Sequence, residues 1–118
     1  MKSIVVSMTA AAGLMIAGSA AAVDMPPLAH QLNCTACHAI DHRVVGPAWA
    51  DVSAKYKGAK TFNYKGKDYP LVDGLVMKVS HGGSGHWGSM PMPANDPSGA
   101  KKKEITEVVH FILGLAKK

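Results

Sequence analysis

The chain is short and basic. It has 118 residues, of which 47% are hydrophobic, and a formal net charge of +5 at pH 7. This length allows one domain. The sequence contains no internal repeat, no heptad run and no glycine motif with the spacing of a phosphate-binding loop, which excludes the fold classes that depend on them. Its lysines are scattered along the chain, as on a solvated surface, so the charge does not predict nucleic-acid binding.

Residues 1–22 are predicted to be a secretory signal peptide. One positive charge, Lys2, precedes an apolar run from Ile4 to Ala22, and the run ends in the small-residue sequence Ser19-Ala20-Ala21-Ala22. This order is typical of a cleaved signal, and we place the cleavage after Ala22. Residues 23–118 would then be a single exported domain. The alternative is a retained transmembrane anchor, because a run of this length can cross a bilayer.

The two cysteines of the chain lie in the sequence Cys34-Thr35-Ala36-Cys37-His38, a C-x-x-C-H pattern typical of covalent attachment of c-type haem. Residues i and i+3 lie on one side of a helical turn, so both sulfurs can reach the same edge of one porphyrin, and His38 can ligate the iron. The C-x-x-C spacing also fits a redox dithiol or half of a zinc site. A zinc site needs two more ligands, and there is no second cysteine pair.

Export gives a further argument about these cysteines. In an oxidising compartment, Cys34 and Cys37 would ordinarily form a disulfide. Such a bridge closes a very small loop and adds little stability. Thioether bonds to haem therefore account better for the use of both cysteines in this motif.

A helix is predicted to begin near Pro26, with Asp24 as its candidate cap and Leu28 and Leu32 on its apolar face. His30 falls on this helix, and we expect it to be exposed. The haem motif continues this helix or follows it closely.

A second, short amphipathic helix is predicted over residues 48–56, because Trp49, Val52 and Tyr56 share one face. Gly58 follows its end. Thr61 to Pro70 carries aromatic residues at alternate positions around Lys65-Gly66, which predicts a small hairpin. Such a hairpin must lean on the rest of the protein to be stable.

Two more helices are predicted. Residues 71–80 show a helical apolar face but include Gly74, which is unfavourable inside a helix. The last helix has Ser98 as its candidate N-cap and Lys101 to Lys103 in its first turns, as a solvated face or a docking patch. The apolar faces of the two helices comprise Leu71, Leu75, Val76 and Val79, and Ile105, Val108, Val109, Ile112 and Ala116, with Phe111 and Leu115 widening the second.

The second iron ligand is expected to be Met92. It lies in Pro91-Met92-Pro93, where each proline fixes its own φ and restricts the residue before it, so an irregular loop can hold one sulfur in place. Met90 is a weaker candidate because it precedes a proline but does not follow one. His81 and His86 compete with Met92 as the second ligand. Iron ligated by two histidines would have a lower reduction potential than iron ligated by one histidine and one methionine.

The residues match a known family at this point. The chain from the first helix to the C-terminus resembles the small bacterial class I monohaem cytochromes c, which carry electrons in the periplasm. The blocks that carry the resemblance are Cys34 to Asp41, Val45-Gly46-Pro47-Ala48, and Trp87-Gly88 with Pro91 to Asn95. The resemblance implies an all-α fold, with four to five short helices around one covalently bound haem c and the hairpin as an insertion.

The resemblance also implies roles for single residues. Cys34 and Cys37 would form the thioethers, and His38 and Met92 would be the axial iron ligands. Three further side chains would act around them: Trp87 would donate to a haem propionate, Asn95 would hydrogen-bond near the Met92 sulfur, and Lys78 stands where the family often has an arginine that pairs with a propionate. The other ring nitrogen of His38 would donate to the carbonyl of Pro47. Lysine lacks the planar fork of arginine, so the Lys78 pairing is the least specific of these.

One segment departs from the family pattern. Small members have a short connection between the second and third helices, whereas Lys60 to Val72 is longer and aromatic here. This segment would cover a haem edge, contact a partner or have no specific role.

The leading hypothesis is a soluble periplasmic one-electron carrier that is not an enzyme. We expect a monomer, without a membrane span after signal cleavage, that meets redox partners with acidic docking surfaces. One alternative is a haem subunit of a periplasmic oxidoreductase. The other is a haem enzyme or sensor with a displaceable sixth ligand.

Overall fold

The computed structural model describes residues 23–116, so the predicted signal peptide lies outside the described residues. Helix α1 (Pro27–Gln31) leads into a 3-10 turn (Cys34–Ala36), and α2 (Trp49–Lys55) follows. Strands β1 (Thr61–Tyr64) and β2 (Lys67–Pro70) form a hairpin that runs directly into α3 (Leu71–His81). The chain ends with α4 (Lys102–Gly114). The described residues thus form the mostly helical fold with one small hairpin that was predicted.

The core lies where α4 crosses the rest of the molecule. On one side, Ile105 and Val109 pack with Leu75 and Val76 of α3. On the other side, Val108 and Ile112 pack with Trp49 of α2 and Ala29 of α1. The predicted apolar faces are therefore confirmed, and α4 buries two faces because its stripe is wide.

The hairpin is confirmed with an antiparallel register that pairs Phe62 with Tyr69. Lys65 and Gly66 both have positive φ (50° and 83°), the conformation that tight two-residue hairpin turns require. Phe62 and Tyr64 are buried on one face and pack with the core of α3 and α4. Gly74 explains this close approach, since a Cβ at that position would lie 2.8 Å from the Cβ of Phe62.

Both predicted N-caps are wrong. The cap position of α1 is Pro26 and not Asp24, and the helix has no side-chain cap because proline carries no hydrogen-bond acceptor in its side chain. Helix α4 begins at Lys102 and not directly after Ser98, because residues 97–101 form turns. The buried Asp96 takes part in this start, since its Oδ2 accepts the backbone N–H of Lys101 at 2.8 Å.

Within residues 23–116, every helix is too short or too polar to cross a bilayer.

Ser53 joins α2 to the end of α4. This side chain is only 1% exposed. Its Oγ donates to the carbonyl of Leu113 at 3.1 Å and accepts the backbone N–H of Ala116 at 2.9 Å. The Leu113 carbonyl, one of those that a helix C-terminus leaves unsatisfied, thereby receives a donor, and the chain just after α4 is tied to α2.

We predict that Ser53→Ala lowers the free energy of unfolding by about 1–3 kcal/mol, because a partly buried carbonyl and a partly buried N–H lose their partner. Denaturant unfolding of the haem-loaded protein measures the change. Ser98→Ala, an exposed serine in the turn before α4, is the control and should have little effect. Equal effects of the two substitutions would contradict this role for Ser53.

Candidate haem site

One large cavity opens between α2, α3, α4 and the loops around them. Its volume is about 1060 Å³, including the space at its mouth. Cys34, Cys37 and His38 line it, and so does Met92. Much of the remaining wall is apolar and comes from elements distant in sequence: Val52, Tyr56, Phe62, Leu75, Val79, Val108, Val109 and Ile112.

The motif forms a single tight turn. Asn33 adopts a left-handed conformation (φ 60°), and the 3-10 turn begins directly after it. The carbonyl of Cys34 accepts the backbone N–H groups of Cys37 at 3.2 Å and of His38 at 2.9 Å. Both thiols are free and half-buried, and burial raises the pKa of the Cys34 thiol. One local turn therefore presents both sulfurs to the same cavity.

His38 is held by the loop that follows it. Its Nδ1 donates to the carbonyl oxygen of Pro47 at 2.8 Å, the hydrogen bond that the resemblance implies. This bond leaves Nε2 as the nitrogen with a lone pair, which is the form of imidazole that binds a metal. Gly46 lies against the ring, since a Cβ there would be 2.5 Å from His38 Cε1.

Met92 lies on a loop that is bonded back to the end of α3. Gly83 and Met92 exchange two backbone hydrogen bonds of 2.9 Å each, and together they form an isolated antiparallel pair. Met92 is half-buried, whereas Met90 is 60% exposed. The backbone around Met92 is therefore fixed by more than its flanking prolines.

Two residues with implied roles bond to backbone carbonyls. The side-chain amide of Asn95 donates to the carbonyls of Val79 (3.2 Å) and Pro93 (3.1 Å). Its backbone N–H also bonds to Val79, which draws the side chain against α3. The Lys78 ammonium donates to the carbonyl of Gly83 at 2.6 Å, and burial lowers its pKa.

Trp87 lines the cavity, as expected for a residue near the haem. The Nζ of Lys55 lies over its ring, 4.5 Å from the ring centroid, and Lys55 also donates to the carbonyl of His86 at 2.9 Å. A cation over an indole face is a favourable electrostatic contact. Trp87 is thus packed in place by α2.

The competing histidines are placed differently. His81 is exposed at the end of α3 and lines a separate, shallow pocket. His86 lines the main cavity, but its Nε2 donates to the carbonyl of Asn63 at 2.8 Å. Its ring also stacks on Phe62, with ring centroids 4.4 Å apart. The sequence showed the alternating aromatics of the hairpin, but no local signal indicated that His86 was their partner.

The comparisons with known proteins agree with this site. The family model described as cytochrome c matches residues 26–116. Cytochrome c-551 of Allochromatium vinosum is 42% identical over 88 residues, which cover 75% of this chain and 82% of that protein. Cytochrome c-552 of Hydrogenobacter thermophilus is 42% identical over 80 residues, which cover 68% of this chain and 72% of that protein.

A solved structure shows the same fold. The crystal structure of wild-type Nitrosomonas europaea cytochrome c552 superposes with a TM-score of 0.60 at 35% identity, and the match covers 75% of this chain and 95% of that one. This chain belongs to the cytochrome c family. It accordingly carries covalently attached haem c and functions in electron transfer.

The residues present fit this cofactor. Like most small-molecule sites, the cavity has a mainly apolar wall, and such a wall suits the macrocycle. Two thiols, an imidazole with its Nε2 lone pair available and a thioether line that wall, and these are the groups that attach and ligate haem c.

We predict that Gly46→Ala destabilises the holoprotein by about 1–3 kcal/mol and changes its absorption spectrum, because the new Cβ would push the His38 ring out of position. Haem content, visible spectra and denaturant unfolding measure the effects. Gly58→Ala is the control, since a Cβ there meets nothing within 4 Å and adds only the strain of a positive φ. An unchanged spectrum in Gly46→Ala would show that the ring is not held by this contact.

Proposed function

We propose that the protein is a soluble periplasmic one-electron carrier with His38 and Met92 as its axial iron ligands. Cys34 and Cys37 would hold the haem through thioethers. One observation carries the proposal: both thiols, His38 and Met92 line the same apolar cavity. His38 Nδ1 is hydrogen-bonded to the Pro47 carbonyl, and the backbone of Met92 is hydrogen-bonded to Gly83. Trp87 and Lys78 line the same wall and are our candidates to face the propionates.

Each residue has a separate task in this proposal. Haem iron supplies the chemistry by alternating between Fe²⁺ and Fe³⁺. His38 is kept in one tautomer and orientation by Pro47, so it does not turn when the charge changes. The thioether of Met92 is a soft, neutral ligand, and it would give the haem iron a higher reduction potential than a second histidine would. If His38 and Met92 both hold the iron, it would have no open position for a substrate, and we therefore propose a carrier and not an enzyme.

The proposed location follows from the first 22 residues. They carry the charge, the apolar run and the small-residue end of a signal peptide, and we propose cleavage after Ala22. Residues 23–118 would then form one exported domain, which acts as a monomer. Exposed lysines support docking to acidic redox partners: Lys55, Lys57, Lys60, Lys65, Lys67 and Lys101 to Lys103.

We predict that Met92→Ala opens the sixth coordination position. The oxidised wild type should show the weak red band of methionine bound to iron, and its reduced form should bind carbon monoxide poorly at neutral pH. Met92→Ala should lose the band and bind carbon monoxide readily, while Met90→Ala should behave like the wild type. A wild type that is high-spin and binds carbon monoxide would favour a haem enzyme or sensor instead.

We predict that electron transfer to an acidic redox protein slows as ionic strength rises, because surface charges beyond about 8–10 Å are screened near 0.1 M salt. Stopped-flow rates across a salt series measure this. Replacing Lys101, Lys102 and Lys103 by glutamate, and separately Lys65 and Lys67, would assign the effect to α4 or to the hairpin. A rate independent of salt would contradict electrostatic steering.

A further inference from the structure

The hairpin contacts the loop that carries Met92. We call residues 82–92 the Met92 loop. Three consecutive residues of β1 reach it: Phe62 stacks on His86 with an interplanar angle of 20°, the Asn63 carbonyl accepts the His86 Nε2–H, and the Tyr64 hydroxyl donates to the carbonyl of Gly82 at 2.8 Å. The loop is therefore attached to the hairpin near its start and at its middle.

The Tyr64 contact lies next to the backbone of Met92. Tyr64 is only 5% exposed, so its hydrogen bond to Gly82 is shielded from water. A Cβ at Gly82 would collide with the carbonyl oxygen of Met92, and the next residue, Gly83, forms the paired hydrogen bonds with Met92. A shift of Gly82 away from Tyr64 therefore has to move Met92 as well.

The four glycines of the Met92 loop make it costly in entropy to hold the loop in one conformation. Gly82, Gly83, Gly85 and Gly88 all have positive φ. Glycine loses more conformational freedom on ordering than any other residue, so closing this loop has a high entropic cost. The backbone pair of Gly83 with Met92 offsets part of that cost, and contacts with a rigid neighbour offset more.

Strand β1 is such a neighbour. Phe62 and Tyr64 are buried in the cluster formed by α3 and α4. Phe62 also packs directly against Gly74 of α3. The hairpin is thus fixed to the main core on the same strand face that supports the Met92 loop.

We propose that β1 is a strut that keeps the Met92 loop closed, with Tyr64 and His86 as positioning residues that set how readily Met92 leaves the iron. This inference rests on the proposed function, because it takes Met92 as the distal ligand. These contacts stabilise the closed loop and not the open one. Removing one of them therefore raises the ratio of open to closed loop by the factor that corresponds to the free energy of that contact.

The test is Tyr64→Phe in the haem-loaded protein. Hydrogen exchange of the Gly83 and Met92 amides reports opening of the loop. Added imidazole reports the same opening at the iron, because it can bind only when Met92 has left and its apparent affinity scales with the open fraction. We expect both quantities to rise by roughly three- to tenfold, the effect of losing one buried hydrogen bond.

Tyr69→Phe is the matched control. It makes the same chemical change in the same hairpin, and within residues 23–116 the Tyr69 hydroxyl has no hydrogen-bond partner. It should leave both readouts unchanged. His86→Phe is a second variant, which keeps an aromatic ring against Phe62 but removes the Nε2–H bond to Asn63. It should increase both readouts even if Tyr64→Phe folds poorly.

The outcomes separate the two proposals. A wild type without the methionine band would overturn the ligand assignment, and the strut with it. The second outcome is a wild type that shows the band while Tyr64→Phe and His86→Phe leave hydrogen exchange and imidazole affinity unchanged. This outcome would overturn the strut alone. Equal acceleration at the Val109 amide in the core of α4 would also overturn it, because the effect would then be global destabilisation.

Discussion

The hydrogen bond from His38 Nδ1 to the Pro47 carbonyl connects the C-x-x-C-H turn to the start of α2. It selects the tautomer of the imidazole and orients the ring toward the cavity. The loop between His38 and Pro47 folds back on the C-x-x-C-H turn, and the N–H of Gly46 donates to the Cys37 carbonyl at 2.7 Å. Trp49 then packs beside His38, with ring centroids 6.0 Å apart, and connects this side of the site to α4. The geometry of the proposed proximal ligand therefore depends on contacts made within a short stretch of chain.

The other side of the cavity is built in a different way. Met92 comes from a glycine-rich loop, and its position depends on the end of α3 and on the hairpin rather than on a helix of its own. Lys78 and Asn95 both donate to backbone carbonyls of this region. The site thus combines a locally determined turn with a loop that has to be held by distant elements. How firmly each side is held matters for a carrier, because ligands that stay in place in both oxidation states keep the structural rearrangement during electron transfer small.

Close backbone approach recurs at the points where these parts meet. Gly46 lies against the His38 ring, Gly74 against Phe62, and Gly82 against the Met92 backbone. At each position a Cβ would collide with its neighbour. Glycine at these three positions therefore lets a small chain bring its ligands, hairpin and helices together around one apolar cavity.

Much of this structure could be predicted from local patterns in the sequence. The spacing of Cys34, Cys37 and His38 indicated the cofactor, helical periodicity gave the buried faces of α3 and α4, and alternating aromatics around Lys65-Gly66 gave the hairpin. These patterns are informative because the repeat of a helix or strand imposes them on neighbouring residues. Contacts between distant residues were decided only by the tertiary structure. Examples are the bonds of Ser53 at the end of α4, of Asp96 to the Lys101 N–H, and of Tyr64 to the Gly82 carbonyl. A hydrogen bond between residues far apart in the chain leaves no periodic pattern in the sequence, because the packing of the elements determines which residues meet.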